Sequence, residues 1–220
     1  MLYPVAEYFV SINGEGTKAG YLAAFIRLRG CNLHCHYCDT RWANDKDGPA
    51  KMMSVEDILN LLERDKVSRV TLTGGEPLLQ EDVGILIGRL GEKGYKVEVE
   101  TNGSIPIGPF CSLPYRPVFT LDYKCPDSGM ESHMITDNYH LLKSRDCVKF
   151  VVGSRKDLDR AFDISRKYHL AGICQVFLSP VFGSITPEYI VEYMKEHHWN
   201  TARLQLQLHK FIWPPDTRGV

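Results

Sequence analysis

The chain has 220 residues, enough for one well-cored domain and short for two. Hydrophobic residues make up 44% and charged residues 24%, an ordinary globular mix that excludes wholesale disorder. The formal net charge of -1 argues against a broad electrostatic footprint for nucleic acid, and no run approaches the ~18 apolar residues of a membrane span. Residues 1–16 show no basic region followed by an apolar run, so they do not read as a secretory signal and a cytoplasmic protein is expected.

In chain order, the first predicted element is a strand over 23–29. A helix over 54–64 follows, with Val55, Ile58, Leu59 and Leu62 on one face and Ser54/Asp57 as its capping box. A strand over 69–73 leads to a helix over 81–93, with Val83, Leu86, Ile87 and Leu90 inward and Gly94 ending it. Strands are predicted over 96–101, 118–122 and 148–152. Then comes a helix over 154–169, capped by Ser154/Asp157, with Leu158, Ala161, Phe162, Ser165 and Tyr168 in register. A strand over 175–179 precedes a last helix that starts at Thr186-Pro187, with Pro at its first position. Residues 202–212 read as extended. No linker interrupts the series, so 1–220 is taken as one domain, with 211–220 as a tail that covers the site or packs on a partner subunit.

Alternating strands and helices imply βαβ units and a mostly parallel sheet. A sheet covered on both sides needs strands that are apolar on both faces. These strands are not. Ala24, Ile26 and Leu28 alternate with Phe25, Arg27 and Arg29; Val97 and Val99 with Lys96, Glu98 and Glu100; Phe119, Leu121 and Tyr123 with Thr120, Asp122 and Lys124; Val70 and Leu72 with Thr71 and Thr73. If helices cover the apolar face, the polar face points into something wet or liganded. An α/β fold with a partial barrel and an open polar lumen fits best, its ligands at the C-terminal rim. The alternative is a one-sided α+β sheet facing solvent.

Seven cysteines, an odd number with no export signal, favour metal or redox chemistry over disulfides. Cys111, Cys125, Cys147 and Cys174 are scattered and read as small buried hydrophobes. Cys31, Cys35 and Cys38 are clustered directly after the first strand. Three thiolates can hold three irons of a [4Fe-4S] cubane and leave the fourth open to a chelating ligand. Structural zinc, with His34 or His36 as fourth ligand, is the alternative. Next, Thr71-Leu-Thr-Gly-Gly-Glu-Pro77 ends the second strand. Its two glycines allow close backbone approach to a ligand, and Glu76 can accept hydrogen bonds.

Cys-x3-Cys-x2-Cys after a strand, followed by Thr-Gly-Gly-Glu-Pro, resembles the radical S-adenosylmethionine (SAM) superfamily. The resemblance implies a cluster that binds SAM through its open iron and, once reduced, cleaves it to a 5′-deoxyadenosyl radical. A narrower resemblance is to the 7-carboxy-7-deazaguanine synthase (QueE) family. It is carried by Ser11-Ile-Asn-Gly-Glu-Gly16, Phe25-Ile-Arg-Leu-Arg-Gly-Cys31, Cys38-Asp-Thr40, Glu100-Thr-Asn-Gly103, Asp122-Tyr-Lys-Cys-Pro126 and Gln207-Leu-His-Lys210. That likeness implies a modified, compact (β/α)6-type partial barrel. It also implies a lyase that converts 6-carboxy-5,6,7,8-tetrahydropterin to 7-carboxy-7-deazaguanine with loss of ammonia, on the route to queuosine and other deazapurines. Mg²⁺, a reductant such as flavodoxin or ferredoxin, and a homodimer come with it.

Carried over residue by residue, Cys31, Cys35 and Cys38 hold the cluster and Thr40 ligates Mg²⁺. Tyr37, Cys38, Asp39, Gly75, Glu76, Asp122, Tyr123, Lys124 and Ser179 fall where the family binds SAM. Ile12, Asn13, Gly14, Glu15, Arg27, Thr73, His209 and Pro215 fall around the substrate. Arg27 also lies on the polar face of its strand, where a guanidinium fork suits a carboxylate; the alternative is an ion pair with Glu98 or Glu100. Thr40 could equally be a plain helix cap. Some family members end in a Pro whose own carboxylate reaches the substrate, whereas here Pro215 is followed by Asp216-Thr-Arg-Gly-Val220. Two other readings stand beside this one: a different small radical SAM enzyme, such as a glycyl-radical activator acting on a protein, or a non-catalytic zinc or electron-transfer protein.

Overall fold

The apolar members of each alternating strand gather on one face of a single sheet, in a computed structural model that describes residues 1–220. Its strands are β1 (Tyr3–Ile12), β2 (Leu22–Leu28), β3 (Lys51–Met53), β4 (Arg69–Gly74), β5 (Lys96–Thr101), β6 (Val118–Lys124), β7 (Cys147–Val152), β8 (Gln175–Pro180) and β9 (Ala202–Leu204). They lie in the order β3-β1-β2-β4-β5-β6-β7-β8-β9, and the two end strands do not pair, so the barrel is open. From β2 to β9 every neighbour is parallel, while β1 and β3 are antiparallel.

The strand faces follow the predicted alternation. Ala24, Ile26, Leu28, Val70, Leu72, Val97, Val99, Phe119, Leu121 and Tyr123 join the core cluster with the helices. α2 (Val55–Asp65) contributes Ile58, Leu59 and Leu62, and α3 (Val83–Glu92) contributes Val83, Leu86, Ile87 and Leu90. Fully burying each such side chain stabilises the fold by about 1.5–3 kcal/mol before entropy is counted. The opposite face is not open to solvent, since Thr71, Thr73, Glu98, Thr120, Lys149 and Ser179 are all buried. The lumen reading therefore holds against the solvent-facing sheet.

Among the predicted caps, one departs from the expected pattern. Ser54 and Asp57 form the full capping box of α2, and Gly94, at φ +87°, turns the chain out of α3. At α5 (Arg155–Lys167), Ser154 Oγ accepts from Asp157 N, but Asp157 does not return the bond. Its carboxylate instead receives Asp127 N and Gly153 N, both at 2.9 Å, and so pins the turn after β6.

Two differences from the predicted strands have physical causes. Nothing before residue 23 reads as a strand, yet β1 is the longest of all; Pro4 and an irregularity between Val5 and Glu7 break its alternation. Residues 202–212 are not uniformly extended. Only β9 pairs, with β8; Gln205 then leaves the sheet to bind Gly16, and α7 (His209–Ile212) is a single helical turn. The β6–β7 connection carries only short 3-10 turns, with Tyr139 and Leu142 covering the core where a helix would lie. No helix is long and apolar enough to cross a membrane.

Candidate active site

β2 ends at Leu28, and Gly30, at φ +96°, turns the chain into the cysteine loop. Backbone bonds from Gly30 N to Ala43 O (2.8 Å) and Cys31 N to Asn44 O (3.1 Å) tie the loop to α1 (Arg41–Asn44). Its far side is held by His36 N on Ser128 O at 3.0 Å and His34 N on Met130 Sδ at 3.4 Å. Cys31, Cys35 and Cys38, all free thiols, then open on one cavity of about 600 Å³ at the C-terminal rim. Burial pushes the Cys31 and Cys35 thiols up.

The donors around these sulfurs suit a charged cluster. Cys31 Sγ receives Leu33 N at 3.4 Å and Asn102 Nδ2 at 3.7 Å, and Cys38 Sγ receives Asn44 Nδ2 at 3.4 Å. Hydrogen bonds to ligand sulfurs are a recognised lever on cluster potential. The three thiols do not converge with a histidine or carboxylate into a site for a single ion. A cubane puts each thiolate on a different iron and so needs them apart, whereas tetrahedral zinc needs four donors about one point.

The glycines after β4 bring that strand's end against the loop. A Cβ on Gly75 would stand 2.2 Å from Gly30 O and 2.8 Å from Cys31 Cβ, and one on Gly74 would stand 2.0 Å from Leu28 O. Glu76 was expected to face SAM, and here the structure corrects the sequence reading. Glu76 is fully buried behind the rim and does not line the cavity. Its carboxylate receives Leu78 N (3.0 Å), Thr101 Oγ1 (2.9 Å) and Asn102 N (2.6 Å), and burial pushes it up to about 7. It thus braces Asn102, whose amide reaches Cys31. Tyr123 is likewise not in the cavity. Alternation puts it on the helix-covered face, where its hydroxyl donates to Glu131 at 2.7 Å.

The lumen floor is a charged network. Glu15 accepts from Ser179 Oγ at 2.7 Å, Lys149 Nζ at 3.2 Å and Gln207 Nε2 at 3.3 Å. Asp122 holds Lys124 at 2.6 Å and Lys149 at 3.3 Å. Burial alone would raise Asp122, but the two ammonium groups outweigh it and keep the carboxylate ionised below its usual range. Glu100 accepts from Thr73 Oγ1 at 2.9 Å, and burial raises its carboxyl. Arg27 pairs with neither Glu98 nor Glu100; its Nε donates to Glu7 at 3.2 Å and leaves the fork's two terminal nitrogens without a protein partner.

Of the residues expected around SAM, Mg²⁺ and substrate, Ile12, Gly14, Glu15, Arg27, Tyr37, Asp39, Thr40, Thr73, Gly75, Asp122, Lys124, His209 and Pro215 line this cavity with the three cysteines. Asn13 and Ser179 sit one layer beneath. Asn13 donates to Glu98 at 2.8 Å and accepts from Thr71 at 3.1 Å, while Ser179 supports Glu15. Thr40 precedes α1 without a side-chain cap bond, so its hydroxyl is not spent on the helix; its polar neighbour is Cys38 Sγ at 3.7 Å. His209 packs so closely on the N-terminal loop that a Cβ on Gly14 would lie 2.5 Å from its Nδ1.

Sequence reasoning left Trp42, Glu100, Asn102, Lys149 and Gln207 unassigned, although all line the cavity. Lys149 was findable as the one charged member of an otherwise apolar strand, and alternation places Glu100 on the polar face of its strand. Gln205 had no such signal; it grips Gly16 through both amide atoms, at 2.8 and 3.0 Å. Among the scattered cysteines, Cys125 and Cys174 belong to the apolar core as expected, while Cys147 is buried on the lumen side against Thr120 Oγ1 at 3.2 Å.

A sequence profile for the radical SAM superfamily matches residues 25–111. A 7-carboxy-7-deazaguanine synthase of Clostridium acetobutylicum is 49% identical over 221 residues, covering 100% of both chains. Another, from Chlorobaculum tepidum, is 36% identical over 219 residues, covering 98% of this chain and 96% of its own. Among solved structures, the crystal structure of QueE from Escherichia coli superposes with a TM-score of 0.69 at 23% identity, over 95% of each chain, and so shares the fold.

Proposed function

The chain belongs to the 7-carboxy-7-deazaguanine synthase family of radical SAM enzymes, and from that premise we propose how its cavity serves the reaction. The enzyme is a lyase that converts 6-carboxy-5,6,7,8-tetrahydropterin to 7-carboxy-7-deazaguanine with loss of ammonia, using a [4Fe-4S] cluster and SAM. When bound, the reduced cluster and SAM supply the 5′-deoxyadenosyl radical that removes a hydrogen atom from the substrate. The observation that carries the assignment of roles is that one cavity joins the cysteine loop to a floor of Glu15, Arg27, Thr73 and Glu100.

Cys31, Cys35 and Cys38 would hold the cluster, with Asn102 donating to Cys31 Sγ and Asn44 to Cys38 Sγ. Gly75 lets the β4 end come close enough for its backbone to meet SAM. Asp122 and Lys124 flank the same rim. Thr73 and Glu100 offer a hydroxyl and a half-buried carboxyl to the pterin ring's donors, and the free nitrogens of Arg27 suit its carboxylate. Asn13 and Ser179 act through Glu98 and Glu15, holding the N-terminal loop in place. Thr40, whose hydroxyl does not cap the helix, is the candidate Mg²⁺ ligand, a hard oxygen donor whose ion would complete its shell with water and substrate oxygens.

A flavodoxin- or ferredoxin-type reductant supplies the electron. A homodimer is the assembly that the family likeness favours, and exposed Met1, Leu2 and Met52 offer apolar surface for it. The free thiols fit the cytoplasm, which keeps cysteines reduced. The test is anaerobic reconstitution followed by turnover of the carboxypterin with and without Mg²⁺. Expected are about four irons per chain, SAM cleavage on reduction, and a deazaguanine product that falls when Mg²⁺ is withheld. Cluster-loaded enzyme that cleaves SAM yet forms no such product rejects the reading.

A further inference from the structure

We propose that Arg218 is a specificity-determining residue, a guanidinium that the C-terminal tail holds at the cavity mouth to take the carboxylate of the incoming pterin. The proposal rests on the reading above that the substrate is a carboxylated pterin.

The tail is part of the site, because residues 215–220 line the cavity. The turn of α7 sets its direction. Trp213 N donates to His209 O at 3.0 Å and Thr217 N to Pro214 O at 2.9 Å, and a Cβ on Gly219 would stand 4.0 Å from Phe9 Cβ. Arg218 then lies over the indole of Trp42, its Cζ 4.3 Å from the ring centroid, while Arg27 Cζ stands 5.8 Å from the same centroid. The two guanidinium groups can therefore be no further apart than those two distances together. Arg218 is exposed, and the aromatic face orients its guanidinium before any ligand arrives.

Charge matching singles Arg218 out. Besides Arg218, the Lys and Arg side chains that line the cavity are Arg27, Lys124, Lys149 and Lys210. Each of these has an acid partner: Arg27 has Glu7 at 3.2 Å, Lys124 has Asp122 at 2.6 Å, Lys149 has Glu15 at 3.2 Å and Lys210 has Asp39 at 3.5 Å. Arg218 has none, and Asp216, two residues before it, does not pair with it. At Lys124, Lys149 and Lys210 an entering anion must compete with a protein carboxylate, and Arg27 offers only the two terminal nitrogens that Glu7 leaves free. At Arg218 it meets a free positive charge whose planar fork fits a carboxylate. Trp42 is thus in reach of both guanidinium groups at the rim of the cavity.

The test is steady-state kinetics on the cluster-loaded enzyme with Arg218→Gln and Arg218→Lys. A charge-assisted hydrogen bond to a carboxylate contributes about 1.5–3 kcal/mol, or roughly 10- to 100-fold. Arg218→Gln should raise KM for the carboxypterin by about that factor, with KM for SAM and substrate-free SAM cleavage unchanged, and Arg218→Lys should recover part of the loss. A tetrahydropterin lacking the carboxylate, used as a competitive inhibitor, should bind wild type and Arg218→Gln alike. The proposal is overturned if Arg218→Gln keeps the wild-type KM, or if it weakens SAM and both pterins together, which marks a tail that merely covers the site. Failure of wild type itself to form a deazaguanine overturns the functional reading and this proposal with it.

Discussion

Replacing Glu98 by Gln sets burial against hydrogen bonding at the base of the N-terminal loop. Glu98 lies on the lumen face of β5, buried, and its two oxygens receive Asn13 Nδ2 at 2.8 Å and Thr120 Oγ1 at 2.6 Å. Loss of water pushes its carboxyl up to about 7, Glu100 adds to the rise, and the two donors oppose it. The folded value lies above the ordinary 4.5, so the folded chain binds the extra proton. The stabilisation is full in acid below 4.5 and is lost as pH rises through about 7. At ~1.36 kcal/mol per pH unit, that interval is worth roughly 3 kcal/mol. The amide introduced by Glu98→Gln cannot ionise, and it keeps both contacts if Thr120 turns its hydroxyl toward Cys147 Sγ, 3.2 Å away. Denaturant unfolding of the iron-loaded protein under anaerobic conditions should therefore show wild type losing most of that amount relative to Glu98→Gln between pH 5 and 8. An offset that stays constant across that range refutes the reasoning, because it means the two donors prevail and Glu98 is ionised throughout.

Arg27→Ala should keep SAM cleavage and lose product, read by chromatography of both; persistent product makes Arg27 a structural partner of Glu7. Gly75→Ala forces a Cβ to within 2.2 Å of Gly30 O, so it should cost about 1–3 kcal/mol as an overpacked site and lower iron content per chain; full iron loading would show that the close approach is dispensable. Gln205→Leu strips both bonds from the buried Gly16, and at about 1–3 kcal/mol for each polar group left unpaired it should lower the unfolding midpoint while leaving iron content intact. An unchanged midpoint would mean that water replaces the amide.

What could be read from the sequence was local. Ile58, Leu59 and Leu62 recur at helical spacing, and Thr71 and Thr73 alternate with Val70 and Leu72, so each element reports its own buried face without its neighbours. That alternation also placed Arg27 and Asp122 on the lumen side before any contact was known. The same rule would have kept Tyr123 out of the site, had the motif around Asp122 not been read as a block. Glu76 shows the converse error. Its place in Thr-Gly-Gly-Glu-Pro invited a ligand role, while its three donors, Leu78, Thr101 and Asn102, come partly from the next strand and are invisible to a motif.

The rest was hidden by chain separation. Glu15 meets Lys149, Ser179 and Gln207 at separations of 134, 164 and 192 residues, and Gly16 meets Gln205 at 189. No local period encodes such pairs; they exist because an open sheet ordered from β3 to β9 leaves its two ends to be bridged by the N-terminal loop and the residues after β9. A closed barrel would satisfy those edges by strand pairing. Here Gln205, leaving β9, crosses to the turn at Gly16 and gives its backbone both a donor and an acceptor. The same opening admits the tail to the cavity. The floor that completes the site and the segment that covers it therefore have one origin, the gap that the sheet leaves unpaired.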